Sequence, residues 1–141
     1  MCHPPQVAGT PLRVVIAEDD GGLAELIRSV LDGDRRFTVV GWAPGGDEAV
    51  ELAGELHPDI VVMDIAMPTC DGIEATRMIH ELDASQHVVI YTGSEEYEDV
   101  ARAEAAGAAG FLHKEALTSP ALADALFVLH ENHRQGLANP E

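Results

Sequence analysis

Five short apolar runs, each closed by polar residues or a turn, alternate along this chain with five segments of helical periodicity. The runs are residues 12–17 (L-R-V-V-I-A), 38–43 (T-V-V-G-W-A), 60–63 (I-V-V-M), 87–92 (H-V-V-I-Y-T) and 109–113 (A-G-F-L-H). They are too short for helices and rich in β-branched residues, so they read as buried strands. The segments between them carry apolar residues at helical spacing. These are Leu23, Leu26, Ile27, Val30 and Leu31; Ala49, Leu52, Ala53 and Leu56; Ala75, Met78, Ile79 and Leu82; and Leu122, Ala125, Leu126 and Leu129. A fourth helix, about residues 95–106, is alanine-rich with a weak stripe. Strict alternation with short connections predicts a parallel sheet with helices on both faces and right-handed crossovers. Ligands of such folds bind beyond the C-terminal ends of the strands.

The punctuation agrees with this order. Asp32-Gly33-Asp34 stops the first helix, and His57-Pro58 ends the second, because a residue before proline avoids the α region. Ser94 is placed to cap the fourth helix and Gly107 to close it. Thr118-Ser119-Pro120 starts the last. With 141 residues the chain has room for one domain with a sizeable core. That domain spans residues 12–135. Residues 1–11 read as a flexible leader and 136–141 as a tail or the start of a linker. The sequence shows no recognisable secretion signal and no apolar run of membrane length, and Cys2 and Cys70 form no disulfide framework. A reducing cytoplasm is the expected compartment.

Charge narrows the function classes. The chain has 25 acids against 8 bases, a net charge of −17, so direct binding to nucleic acid or an acidic membrane is excluded for this domain. Of the 8 bases only Lys114 is a lysine, and a compact ammonium used once suggests a specific contact.

The strand ends carry the chemistry. Asp64 follows the apolar run 60–63 and precedes a loop signalled by Pro68 and Asp71-Gly72. Taken alone, Asp64 reads equally as a turn residue or as a reactive carboxylate. The other strand ends supply Glu18, Asp19 and Asp20, then Thr92, then Lys114. Together they make an oxygen-rich cation site with a nucleophile and a counter-charge. Oxygen ligands in a wet cleft suit Mg²⁺. A carboxylate can attack phosphorus to form an acyl phosphate, whose charge Mg²⁺ and a lysine would offset.

At this point the chain resembles the response-regulator receiver domains of two-component signalling. The resemblance covers nearly all of residues 12–135. It rests on the acids of V-V-I-A-E-D-D, the Asp of V-V-M-D-I-A-M-P, the following D-G, the Thr of V-V-I-Y-T-G and the Lys of G-A-A-G-F-L-H-K, each at its own strand end. It implies a flavodoxin-like (βα)5 sheet of order 2-1-3-4-5. It implies that Asp64 accepts phosphate from a sensor histidine kinase, and that Asp19, Asp64 and the backbone carbonyl of Ala66 ligate Mg²⁺ with help from Glu18. Thr92 and Lys114 would read the phosphoryl group, and Phe111 would turn inward as Thr92 moves. An output domain or downstream protein would receive the signal, with a homodimer as one route.

Some residues depart from the family pattern. Glu115 follows the lysine where proline is frequent, which is similar to the subfamily with LuxR/NarL-type helix-turn-helix outputs and argues against a cis-proline. Gly93 loosens the loop after Thr92. Small residues at Ala66 and Ser94 predict a short-lived phosphoryl group. Cys70 reads as a small hydrophobe and Trp42 as packing, and Phe127 and Val128 as core or partner face. His130 and His133, at i and i+3, do not by themselves make a metal site. A haloacid-dehalogenase-type phosphatase needs a second Asp where Ala66 stands, and a dinucleotide fold needs glycines where Glu18-Asp19-Asp20 stand. The remaining alternatives are a stand-alone receiver and a receiver-like module that binds proteins without phosphorylation.

Overall fold

The computed structural model describes residues 10–67, 70–92 and 97–134. The elements follow in strict alternation: β1 (Leu12–Ala17), α1 (Gly21–Asp32), β2 (Phe37–Ala43), α2 (Gly46–Leu56), β3 (Ile60–Asp64), α3 (Gly72–Leu82), β4 (His87–Thr92), α4 (Tyr97–Ala105) and β5 (Gly110–His113), then a 3-10 turn (Lys114–Thr118) and α5 (Leu122–Arg134). The strands are all parallel, in the order β2-β1-β3-β4-β5. This is the expected flavodoxin-like sheet, with its switch point between β1 and β3. The expected leader and tail, the loop at Pro68, Gly93 and the Ser94 cap lie wholly or mostly outside the described residues.

The period of two along each strand divides the core. Val14, Ile16, Ile60, Val62, Val89 and Tyr91 pack toward Ile27 and Leu31 of α1 and Leu122 and Leu126 of α5. Val15, Val61, Met63, Val88 and Ile90 pack toward Ala49 and Ala53 of α2, Ala75 and Ile79 of α3, and Ala103 of α4. β3 and β4 are buried along their whole length, as strands covered on both faces must be. Each buried Leu or Ile contributes about 1.5–3 kcal/mol, so either face alone is a substantial core.

The helical stripes are narrower than their spacing predicts. Leu26 is 54% exposed, Met78 36% and Leu82 68%. A flat sheet touches only a narrow line of each helix, and small residues take that line: Ala24 beside Ile27 in α1, Ala75 and Thr76 beside Ile79 in α3. Trp42, expected as packing, is 50% exposed because it lies on the edge strand β2. Helix ends are closed from several sides. Asp20 caps α1 by accepting from Gly22 and Leu23 N–H, and Asp71 caps α3 by accepting from Glu74 N–H. His57, before Pro58, leaves the helix through the left-handed region at φ 48°. The Arg13 guanidinium on β1 donates to the Leu56 and His57 carbonyls there, at 2.6 and 3.1 Å.

Candidate functional site

Strand register sets the level of each site residue. Ala17 pairs with Met63, Asp64 with Tyr91, and Thr92 with His113. Glu18 and Asp64 therefore emerge side by side from β1 and β3. Thr92 ends β4 next door, and Lys114 follows β5. Glu18, Asp19 and Asp64 each bring an oxygen to a cluster whose ligand atoms all lie within 4.8 Å of one another. Among the described residues this is the only such group of three.

Glu18 is 1% exposed and closely held. The Tyr91 hydroxyl donates to its Oε1 at 2.5 Å, and the Asp20 N–H donates to Oε2 at 2.9 Å. Its carbonyl accepts from Trp42 Nε1 at 2.7 Å. Burial pushes the Glu18 carboxyl above its usual range; the Tyr91 and Asp20 hydrogen bonds oppose this, and the charge of Asp64 adds to it. Asp64 is 6% exposed and accepts from Ala66 N–H at 3.2 Å. Burial likewise raises its carboxyl, against the pull of the Ala66 N–H and the positive charge of Lys114. Burial first, then Glu18, keep the Tyr91 hydroxyl far above the ordinary phenol range, so it is a donor throughout. Asp19 is exposed at the mouth.

This donor set fits a hard divalent cation. It offers carboxylate oxygens only, and two of its carboxyls are held above their normal range, first by burial and then by a neighbouring acid's repulsion, that of Asp64 on Glu18 and of Asp19 on Asp64. A cation relieves that repulsion.

Thr92 is buried at 4% exposure, and Lys114 is exposed at the start of the 3-10 turn. Phe111 is half-buried on β5, opposite Ile90. The chain reaches Lys114 and Glu115 without a cis peptide bond among the described residues, as Glu115 predicted. The end of β3 and the start of α3 approach closely beside the site. Gly72 N–H donates to the Ile65 carbonyl at 2.9 Å, and a Cβ on Gly72 would stand 2.2 Å from the Asp64 carbonyl oxygen.

The sequence reading did not assign the parts that three residues play here. Tyr91 is a phenol in an aliphatic strand, and a buried phenol needs a partner. Asp20 stands just before a helix, the usual place of a capping acid. Trp42 gave no signal, since its contact depends on how β2 lies against β1. His130 faces β4: its Nδ1 lies 2.7 Å from Nδ1 of His87. Cys70 is half-buried, and burial with nearby Asp47, Asp71 and Glu74 raises its thiol, in keeping with a hydrophobe's role.

A sequence model of the response regulator receiver domain matches residues 14–126. The chemotaxis protein CheY of Halobacterium salinarum is 38% identical over 114 residues, covering 81% of this chain and 92% of that protein. The nitrate/nitrite response regulator NarL of Escherichia coli is 31% identical over 105 residues, covering 74% of this chain and 49% of that protein. The chain spans about half the length of the transcriptional regulators it matches. The receiver domain of the response regulator NarL from Mycobacterium tuberculosis superimposes with a TM-score of 0.81 at 27% identity, over 86% of this chain and 97% of that one.

Proposed function

The chain belongs to the response regulator receiver domain family, and from that premise we propose that Asp64 is its phospho-acceptor, charged by a sensor histidine kinase. The observation that carries this is the placement of Asp64: nearly buried at the end of β3, in an oxygen cluster with Glu18 and Asp19, within the field of Lys114. A carboxylate oxygen of Asp64 attacks phosphorus of a phosphohistidine. The P–O bond forms, the P–N bond breaks, and the electron pair leaves on the imidazole nitrogen, which takes a proton from water. Asp19, Asp64 and the Ala66 carbonyl would hold Mg²⁺, with Glu18 beside them, and Mg²⁺ when bound supplies charge stabilisation for the transferring group. Lys114 pairs with a phosphoryl oxygen and the Thr92 hydroxyl donates to another. Phe111 then turns inward as the aromatic switch.

The domain comprises residues 12–135 and works in the cytoplasm. It speeds its own phosphorylation and slow dephosphorylation and acts on no separate substrate. Its signal goes to transcription through a helix-turn-helix output, directly or through a homodimer. The exposed Ala66 leaves the acyl phosphate open to water, so its lifetime is short; an adduct that persists for many hours overturns that point.

The test is intact mass after treatment with acetyl phosphate and Mg²⁺. One phosphoryl adduct on the wild type and none on Asp64→Ala is the expected result. No adduct on the wild type overturns the proposal and favours a module that signals by protein contact alone.

A further inference from the structure

Tyr91 joins three strand ends. Its side chain leaves β4 on the face of α1 and α5, reaches across β3 and donates to Glu18, the residue just past β1. Its carbonyl accepts from Ile65 N–H at 3.1 Å, one residue past Asp64. Its chain neighbour is Thr92. The ring is fully buried, so the hydroxyl has a fixed direction. The second Glu18 oxygen is engaged by Asp20 N–H, and Trp42 fixes the Glu18 carbonyl. Glu18 thus approaches Asp19 and Asp64 from a direction set by its partners.

We propose that Tyr91 is a positioning residue for the divalent cation: it orients the Glu18 carboxylate toward the cluster and thereby sets cation affinity. The proposal rests on the Mg²⁺ site described above. A carboxylate fixed by a buried donor loses little freedom when a cation arrives. One that has lost its donor turns away or must be reordered. Partners that orient ligands in this way typically change metal affinity 10–100-fold when removed.

The test is calorimetric titration of Mg²⁺ into the phosphate-free wild type, Tyr91→Phe, Glu18→Gln and the double variant. Tyr91→Phe keeps the ring and its packing. Its expected effect is a loss of affinity of about tenfold. In the Glu18→Gln background the same change should do nothing further. Wild-type affinity in Tyr91→Phe overturns the proposal, and so does an equal loss in both backgrounds, which marks a general packing effect. Absence of Mg²⁺ uptake by the wild type overturns the cation site itself, a distinct result. A second readout spares the fold: the ¹³Cζ resonance of unmutated Tyr91 should shift on Mg²⁺ addition in the wild type and stay still in Glu18→Gln. A resonance that does not move in the wild type, while Mg²⁺ binds, also counts against Tyr91.

Discussion

Nδ1 of His87 and Nδ1 of His130 lie 2.7 Å apart, with the two rings tilted 51° and both residues nearly buried. His87 begins β4, so this contact sits at the end of the sheet opposite Asp64. It bonds α5 to a central strand. At that separation one nitrogen must carry a proton and the other must accept it.

Replacing His130 by Ala removes that bond and leaves a hole beside His87. The expected cost is roughly 1–3 kcal/mol of stability, read as a lower urea midpoint with an unchanged slope. The proposed phosphorylation of Asp64 should proceed in the folded variant as in the wild type, because the two sites occupy opposite ends of β4. A variant as stable as the wild type would show that the contact contributes nothing.

The carboxyls at the site predict an unusual pH response. Glu18 and Asp64 are both raised in the folded chain. Between the ordinary carboxylate range and those raised values the folded state binds more protons than the unfolded one, so their joint contribution to stability falls as pH rises. Without divalent cations, Asp64→Asn should therefore be more stable than the wild type at neutral pH. That advantage should shrink toward about pH 4, where the unfolded carboxyls also protonate. Mg²⁺ should raise the wild type and close most of the gap. Urea titrations across pH, with and without Mg²⁺, measure all of this. An Asp64→Asn variant less stable than the metal-free wild type at neutral pH would contradict it.

Asp34 runs the other way. Arg36 donates to it and holds its carboxyl down at about 2, while also reaching Asp124 on α5 at 2.6 Å and lying 5.0 Å from the centre of the Phe127 ring. Asp34 thus adds stability above its unfolded value, which disappears as pH falls through about 2. Arg36→Met keeps the stem over the ring and loses the charge. The expected cost at neutral pH is about 0.5–1 kcal/mol, smaller in high salt because the groups are partly exposed. Chemical unfolding at low and high ionic strength separates the two contributions. A cost indifferent to salt would assign it to packing.

What the sequence revealed followed from the length and spacing of its apolar runs. The short β-branched apolar runs 12–17, 60–63 and 87–92 identified the central strands, and their polar ends placed Glu18, Asp19, Asp64 and Thr92 at one edge. Those are local signals. What stayed hidden depends on how distant segments approach one another. Leu26, Met78 and Leu82 follow the helical spacing yet face outward, because the line of contact with the sheet is set by Ala24, Ala75 and Thr76. Tyr91 meets Glu18 across 73 positions of chain, and His87 meets His130 across 43. No window along the sequence contains either pair.

Trp42 offers a direct optical report on the site. It is the sole tryptophan, its indole N–H is bonded to the Glu18 carbonyl, and its ring lies 3.9 Å from the Cβ position of Gly21 at the start of α1. A cation drawn to Glu18, Asp19 and Asp64 changes the field beside a half-exposed ring. Tryptophan emission should therefore change and saturate as Mg²⁺ is added, with the same midpoint as calorimetry. Asp64→Asn should shift that midpoint to higher concentration. Emission that stays constant while calorimetry records binding would mean that the β1 end keeps its position when the cation enters.

The close approach of Gly72 to Asp64 gives the sharpest mutational test of the loop. A Cβ at Gly72 would fall 2.2 Å from the Asp64 carbonyl oxygen and 2.9 Å from Cα of Ile65. Both are backbone atoms, so no side chain can rotate away. The Gly72→Ala chain must displace either the end of β3 or the start of α3. The first moves Asp64 away from Glu18; the second stretches the Gly72 N–H bond to the Ile65 carbonyl. Overpacking of this kind costs about 1–3 kcal/mol. Gly72→Ala should therefore lose stability in that range and also take up phosphate from acetyl phosphate more slowly than the wild type. Thr76→Val, which removes a hydroxyl donating to the Gly72 carbonyl at 2.6 Å, supplies the comparison. It should destabilise α3 by about 1 kcal/mol and leave the phosphorylation rate close to wild type, since it adds no atom next to Asp64. Equal rates in all three proteins would show that the Asp64–Gly72 contact serves the fold and has no bearing on the geometry of the proposed phospho-acceptor.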